Sequence, residues 1–168
     1  MKSLLFVPLL FAASLFAAGP IEAKLLAYPG PDNASFVVEH PDDWEVTPGE
    51  EVGDYVTLTG PTGVNLQLRT IPGNESSMKE ALAESFKFLE ETFTNLEMLD
   101  PETTERGGLT QMTVAGKGVD SEGEKTGFVL FYVALNDGNI AEIWFSVYAD
   151  DQQGFDAATK VLKSFRTP

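Results

Sequence analysis

Histidine, cysteine and carboxylates are the side chains that most often carry catalysis or hold metals, and this sequence supplies them unevenly. It has one histidine and no cysteine, against 26 Asp and Glu in 168 residues. The lack of cysteine excludes a disulfide framework, a thiolate zinc site and a lipobox anchor. His40 stands in the run His40-Pro41-Asp42-Asp43-Trp44 and would have to serve in any histidine chemistry. With Asp42 and Asp43 it offers a weak metal site, because one ring cannot fill a zinc site by itself. A serine nucleophile would need the same ring as base, and the sequence has no Gly-x-Ser-x-Gly elbow. A histidine beside proline in a turn reads as a packing or surface residue, so no catalytic residue is assigned and no enzyme is expected.

The carboxylates are more suggestive. Asp120, Glu122 and Glu124 lie just before an apolar run, and Asp150 and Asp151 lie just after its partner run. If Lys125 opposes Asp150, both acidic turns fall at one end of a sheet. Five carboxylates there would repel one another unless a hard cation or a basic partner offset them. Calcium takes six to eight oxygens, usually from loops, although this spacing is not that of an EF-hand. The competing reading makes one aspartate a helix N-cap and the others solvated tips with Lys125 at hand. These five are the candidate binding residues, and calcium is the one cofactor they suggest. Glu142 is a different case, an acid within an apolar strand whose ionised form costs free energy unless paired. Its place near a hairpin turn suggests a wet rim position. Burial would instead make it the residue to test for proton chemistry.

The elements that position these groups centre on one hairpin. Thr126 to Leu135 and Ile140 to Tyr148 flank the turn residues Asn136-Asp137-Gly138-Asn139. Both runs are apolar nearly throughout, so both faces of their sheet must be covered. Pairing Leu135 with Ile140 sets Phe131 against Trp144 and Val129 against Ser146 on one face. Leu130 then opposes Phe145 and Tyr132 opposes Ile143 on the other, which is apolar throughout, while the first face carries one exception, Glu142, opposite Val133. Tyr55 to Thr59 and Val64 to Thr70 make a second hairpin whose Leu66 and Leu68 alternate with Gln67 and Arg69. A long helix opens on a capping box of Ser77 and Glu80, with a stripe of Met78, Leu82, Phe86, Leu89 and Phe93. A final helix carries Phe155, Ala158, Leu162 and Phe165. Residues 24–33, with Pro29-Gly30-Pro31, read as an irregular arm. Turn-linked strands separated by two helices predict an α+β domain over residues 34–168, with about six antiparallel strands and helices on the sheet's faces.

Residues 1–23 read as a secretory signal peptide, with a basic start at Lys2 and an apolar run from Leu4 to Ala18. Export to the periplasm or beyond the cell is the expectation. A net charge of −15 disfavours nucleic acid and anionic membrane surfaces as partners.

The segment from Phe36 to Trp44, a strand leading to Pro-x-x-Trp, is similar to the opening of the PsbP/Mog1 superfamily. Ala158 to Arg166, a helix ending in Ser-Phe-Arg, is similar to that group's close. The resemblance covers residues 34–166 and points toward exported bacterial PsbP-related or DcrB-like proteins. His40 stands where an aromatic residue is common, and Asp43 where glycine is common. The resemblance implies an antiparallel sheet between helices, an α/β/α sandwich, in a non-catalytic accessory or binding protein with a protein partner. A calcium-dependent module using the acidic loops, or an enzyme with a buried acid, are the alternatives.

Overall fold

The computed structural model describes residues 23–51 and 53–168, so the expected signal peptide lies outside them but for Ala23. The strands are β1 (Ala23–Tyr28), β2 (Phe36–Pro41), β3 (Glu45–Thr47), β4 (Val56–Thr59) and β5 (Asn65–Pro72). Helix α1 (Glu75–Thr92) follows, then β6 (Thr94–Met98), β7 (Glu102–Arg106), β8 (Leu109–Val119), β9 (Lys125–Ala134), β10 (Asn139–Tyr148) and helix α2 (Gln152–Ser164). Eight strands form one antiparallel sheet in the order β3-β4-β5-β10-β9-β8-β6, with β7 also paired to β8. The sheet is larger than the six strands expected. β1 and β2 form a separate two-stranded ribbon.

Each face of the sheet is covered, as the apolar hairpin requires. On one side α1 packs Ala81 and Leu89 against Phe128, Leu130, Tyr132 and Trp144. On the other, α2 (through Ala158 and Val161) and the ribbon (through Phe36 and Val38) pack against Val133, Ile143 and Phe145. The result is a three-layered α+β sandwich.

The register of the central hairpin differs by one residue from the sequence expectation. Ile140 opposes Ala134, and Glu142 opposes Tyr132 rather than Val133. The loop is the reason. Leu135 N donates to Asn139 O at 2.9 Å and Gly138 N to Leu135 O at 3.3 Å, closing a three-residue loop. Gly138 supplies the left-handed backbone that such a loop needs, at φ 84°. Because side chains alternate, a one-residue slip exchanges faces. Trp144 therefore pairs with Leu130, and Phe131 with Ile143. Gly138→Ala is expected to cost about 1–2 kcal/mol in urea unfolding, since any Cβ is strained in the left-handed region.

Three other expectations are corrected. Residues 24–33 are not an irregular arm throughout, because Ala23–Tyr28 pairs with β2 and the Tyr28 ring stacks on Phe36 at 5.3 Å. Helix α1 is capped by Asn74, whose Oδ1 accepts from Ser77 N at 2.9 Å, rather than by Ser77. Its buried stripe is Ala81, Ser85 and Leu89, while Phe86 is 40% exposed. Small residues at 81 and 85 let the helix sit close on the sheet, which a stripe of aromatics would prevent. Similarly, β8 continues through Gly116 and Gly118, where an added Cβ would lie 2.6 Å from Phe128 Cζ and 2.6 Å from Phe93 Cβ.

Candidate functional site

The two acidic turns do share an end of the sheet. Val119 pairs with Lys125 and Thr126 with Tyr148, so residues 120–124 and 149–151 leave the strands together. Their carboxylates do not converge. Asp120 Oδ1 accepts from the backbone N–H of Glu122 and of Glu124, both at 2.9 Å. Asp151 Oδ1 accepts from Gly154 N at 2.8 Å and is the N-cap of α2. Glu122, Glu124 and Asp150 are exposed. Among the described residues no three His, Cys, Asp or Glu side chains are placed to hold a metal ion. His40 is 3% exposed on the core-facing side of β2, within 2.8 Å of the Pro41 carbonyl, while Asp42 and Asp43 face solvent. Asp151→Ala is expected to lower stability by about 1 kcal/mol, and Asp151→Asn, still a good cap, by a few tenths. Thermal melts of the two variants check this.

Glu142 is not at a wet rim. It is fully buried at 0% exposure, because the corrected register sets it between Tyr132 and Arg69 on neighbouring strands. Arg69 Nε donates to Glu142 Oε2 at 2.5 Å. Tyr132 OH and Ser85 Oγ each donate to Oε1 at 3.2 Å. The Arg69 guanidinium also lies 4.4 Å over the Tyr55 ring and 3.5 Å from Glu84 Oε2. Burial would weaken the hold of Arg69 on its proton, and the Glu142 carboxylate reverses that, so the guanidinium stays charged. A cleft of about 250 Å³ opens beside this network, lined by Tyr55, Arg69, Ser85, Phe88 and Trp144 among others. Glu142 lies behind Arg69 and Ser85 and does not line it.

The same network sets a pH dependence. Burial, then the Glu142 charge, pushes the Tyr132 hydroxyl well above its usual value of 10.0. Above pH 10 the unfolded chain releases a proton that the folded one keeps, so stability falls as pH rises. The decline is roughly 1.4 kcal/mol per pH unit from this residue, and the full contribution is present below pH 10. Urea unfolding from pH 8 to 11 should show it, with a shallower slope in Tyr132→Phe.

A large open feature lies on the other face, where α2 starts and covers the sheet incompletely. A recess of about 580 Å³ there is bounded by Asn95 and Glu97 of β6, Lys117 and Val119 of β8, Thr126 and Gly127 of β9, and Phe155 of α2. A hollow of about 410 Å³ shares Glu97, Lys117, Gly127, Val147 and Phe155 with it and extends over Val129 and Phe145. Phe155 is 43% exposed and Leu99, across the hollow, 68%. Lys117 is paired with Glu97 at 3.0 Å, and Lys125 stands exposed at the edge. Two buried polar atoms nearby, Thr126 Oγ1 and Asp151 Oδ2, have no hydrogen-bond partner among the described residues but do not open into the recess, since Thr126 shares the α1-facing side of β9 with Phe128 and Asp151 Oδ2 lies against Gly154 under the first turn of α2. Of the five candidate binding residues, Asp151 alone belongs to this lining. Gly127, a residue without a side chain in a strand of bulky ones, was the signal available for the rest.

No protein-family model matches the sequence, and no curated protein matches it either. Solved structures do. Cyanobacterial PsbP from Synechocystis sp. PCC 6803 superposes with a TM-score of 0.60 at 11% identity, over 94% of this chain and 99% of that one. LpqN of Mycobacterium tuberculosis, described as involved in cell envelope biogenesis, gives 0.56 at 14% identity over 88% and 91%. A Bacteroides thetaiotaomicron protein gives 0.56 at 17% identity over 86% of this chain, which spans about half of it (48%). With an antiparallel sheet held between helices and these superpositions over most of its length, the protein has a PsbP/Mog1-like fold.

Proposed function

We propose that the protein is an exported, non-catalytic binding or accessory protein that takes its ligand in the recess between α2 and β6. The observation that carries this is the recess itself, an apolar floor left open beneath a half-exposed Phe155. Ligand sites are characteristically concave, mostly apolar and furnished with a few polar groups. A binding role is also supported by the state of Glu142, both of whose oxygens are engaged by protein donors. Export is supported by the leader-like residues 1–23, and a role in the cell envelope by the superposition on LpqN. Among the described residues no helix is long and apolar enough to cross a membrane. Native mass spectrometry of the protein purified without detergent tests the reading. A small molecule should be retained by the wild type and lost in Gly127→Leu, whose first added carbon meets nothing within 4 Å. Ligand-free wild type, or equal retention by the variant, would count against it.

A further inference from the structure

We infer that the protein carries a second ligand site, at the opposite end of α2 from the recess, and that this site takes a small apolar molecule with a carboxylate head. A pocket of about 210 Å³ opens there between the C-terminal end of α2 and the β7–β8 hairpin. Phe131, Val133 and Ile143 of the sheet form its floor, with Leu162 and Phe165 as a wall. Val133 and Ile143 are buried, whereas Phe131, Leu162 and Phe165 are half-buried beneath the opening.

Two arginines from remote segments line this pocket, and the backbone fixes both. Arg106 pairs with Leu109 across a turn of Gly107 and Gly108, which sit in the left-handed region at φ 59° and 80°. Residues opposed across antiparallel strands share a face, so Arg106 stands on the α2 side with Leu109, Phe131 and Val133. A Cβ at Gly107 would meet nothing within 4 Å, so the turn leaves the mouth open. Arg166 is held by reciprocal backbone hydrogen bonds with Val37, at 2.9 and 3.1 Å.

The sign of the head follows from the lining. Two of the chain's three arginines belong to it and no carboxylate does, in a sequence with 26 Asp and Glu. The hollows described above carry acids instead, Glu84 in one and Glu97 in the other two. Among the described residues Arg106 pairs with no carboxylate, and its one hydrogen bond runs from Nη2 to the Lys163 carbonyl at 3.3 Å. The other N–H groups of its guanidinium remain for a ligand. Arg166 Nη1 lies 3.1 Å from Glu39 Oε1 and 3.1 Å from Ser164 O, and both Arg166 and Glu39 are half exposed. A helix C-terminus disfavours an anion, but here the two guanidiniums cover the last carbonyls and set donors in their place.

The two parts together define the ligand. A guanidinium fork matches the paired oxygens of a carboxylate. Nucleic acid would bring phosphates and nothing apolar for the floor, and a net charge of −15 repels it. A bare inorganic anion would leave Phe131 and Ile143 uncovered. An apolar carboxylate fills both parts of the site.

Titration calorimetry of the full chain with octanoate, octanol and octylamine tests the assignment. Octanoate should bind at least about tenfold more tightly than the other two, although the long-range field of an acidic chain favours the amine. Arg106→Gln, at an exposed position of an edge strand, should weaken octanoate by about tenfold and remove its advantage over octanol. Arg166→Gln should act alike. Lys160→Gln, exposed on α2 outside the lining, should leave octanoate affinity unchanged, which separates a seated head from general attraction. Gln111→Trp should weaken octanoate by filling the pocket from β8, with a thermal melt showing that the variant is folded. Preference for the amine, equal affinity for all three, indifference to Arg106→Gln, or no octanoate binding overturns the inference. Loss of octanoate in Gly127→Leu, with Gln111→Trp unaffected, would place the acid in the recess and overturn it equally.

Discussion

Arg69→Ala is expected to lower the free energy of unfolding by about 3–5 kcal/mol, because it strands a fully buried carboxylate. Glu142 is 0% exposed, and without Arg69 the donors left to it among the described residues are neutral hydroxyls, those of Ser85 and Tyr132 with Tyr55 close by. Neutral donors alone do not offset the desolvation of a charge. The contact between Arg69 and Glu84 adds little, since it spans 3.5 Å and Glu84 is 62% exposed. Replacing both partners with apolar residues, Arg69→Met with Glu142→Leu, should be far milder. Buried ion pairs exchanged for well-packed hydrophobes are often neutral or stabilising by about 1–4 kcal/mol. Urea denaturation of the single and double variants measures the coupling directly. A loss below about 1 kcal/mol for Arg69→Ala would mean that the carboxylate does not depend on this guanidinium.

Phe128→Ala should be comparably damaging, at about 3–5 kcal/mol. The ring is 2% exposed and stacks between Phe93, at 5.6 Å, and Trp144, at 6.1 Å. It also fills the space over Gly116, so removing it opens a void that a glycine floor cannot close. Loss of those contacts adds to the lost transfer free energy, which is why aromatic truncations in closed cores cost most. Chemical denaturation with an unchanged m-value would establish that the effect lies in stability and not in a changed unfolded state.

Much of this architecture was legible in the chain. The apolar character of Phe128 to Ala134 and of Ile143 to Val147, broken only by Ser146, required cover on both sides of a sheet, and α1 and α2 provide it. Alternation along Val64 to Arg69 placed Leu66 and Leu68 inward, where both are fully buried. The N-cap role weighed for one aspartate of the Asp150-Asp151 pair was also readable, because a carboxylate before a helix accepts from its first free N–H groups, and it falls to Asp151. The recess was not legible. It arises from where α2 begins over the sheet and from how far β6 stands off, which are distances between remote segments.

What the sequence by itself determined was composition-level and periodic: two-sided burial, antiparallel order, an acidic surface and the absence of cysteine chemistry. Only the tertiary structure decided where Glu142 goes and what faces it. The cause is one residue of hairpin register, set by the left-handed Gly138, since a strand's side chains alternate and a single step exchanges its faces. That step sets Tyr132 beside Glu142, and the pairing of β10 with β5 brings Arg69 to its other side, so that an expected rim acid is a buried ion pair.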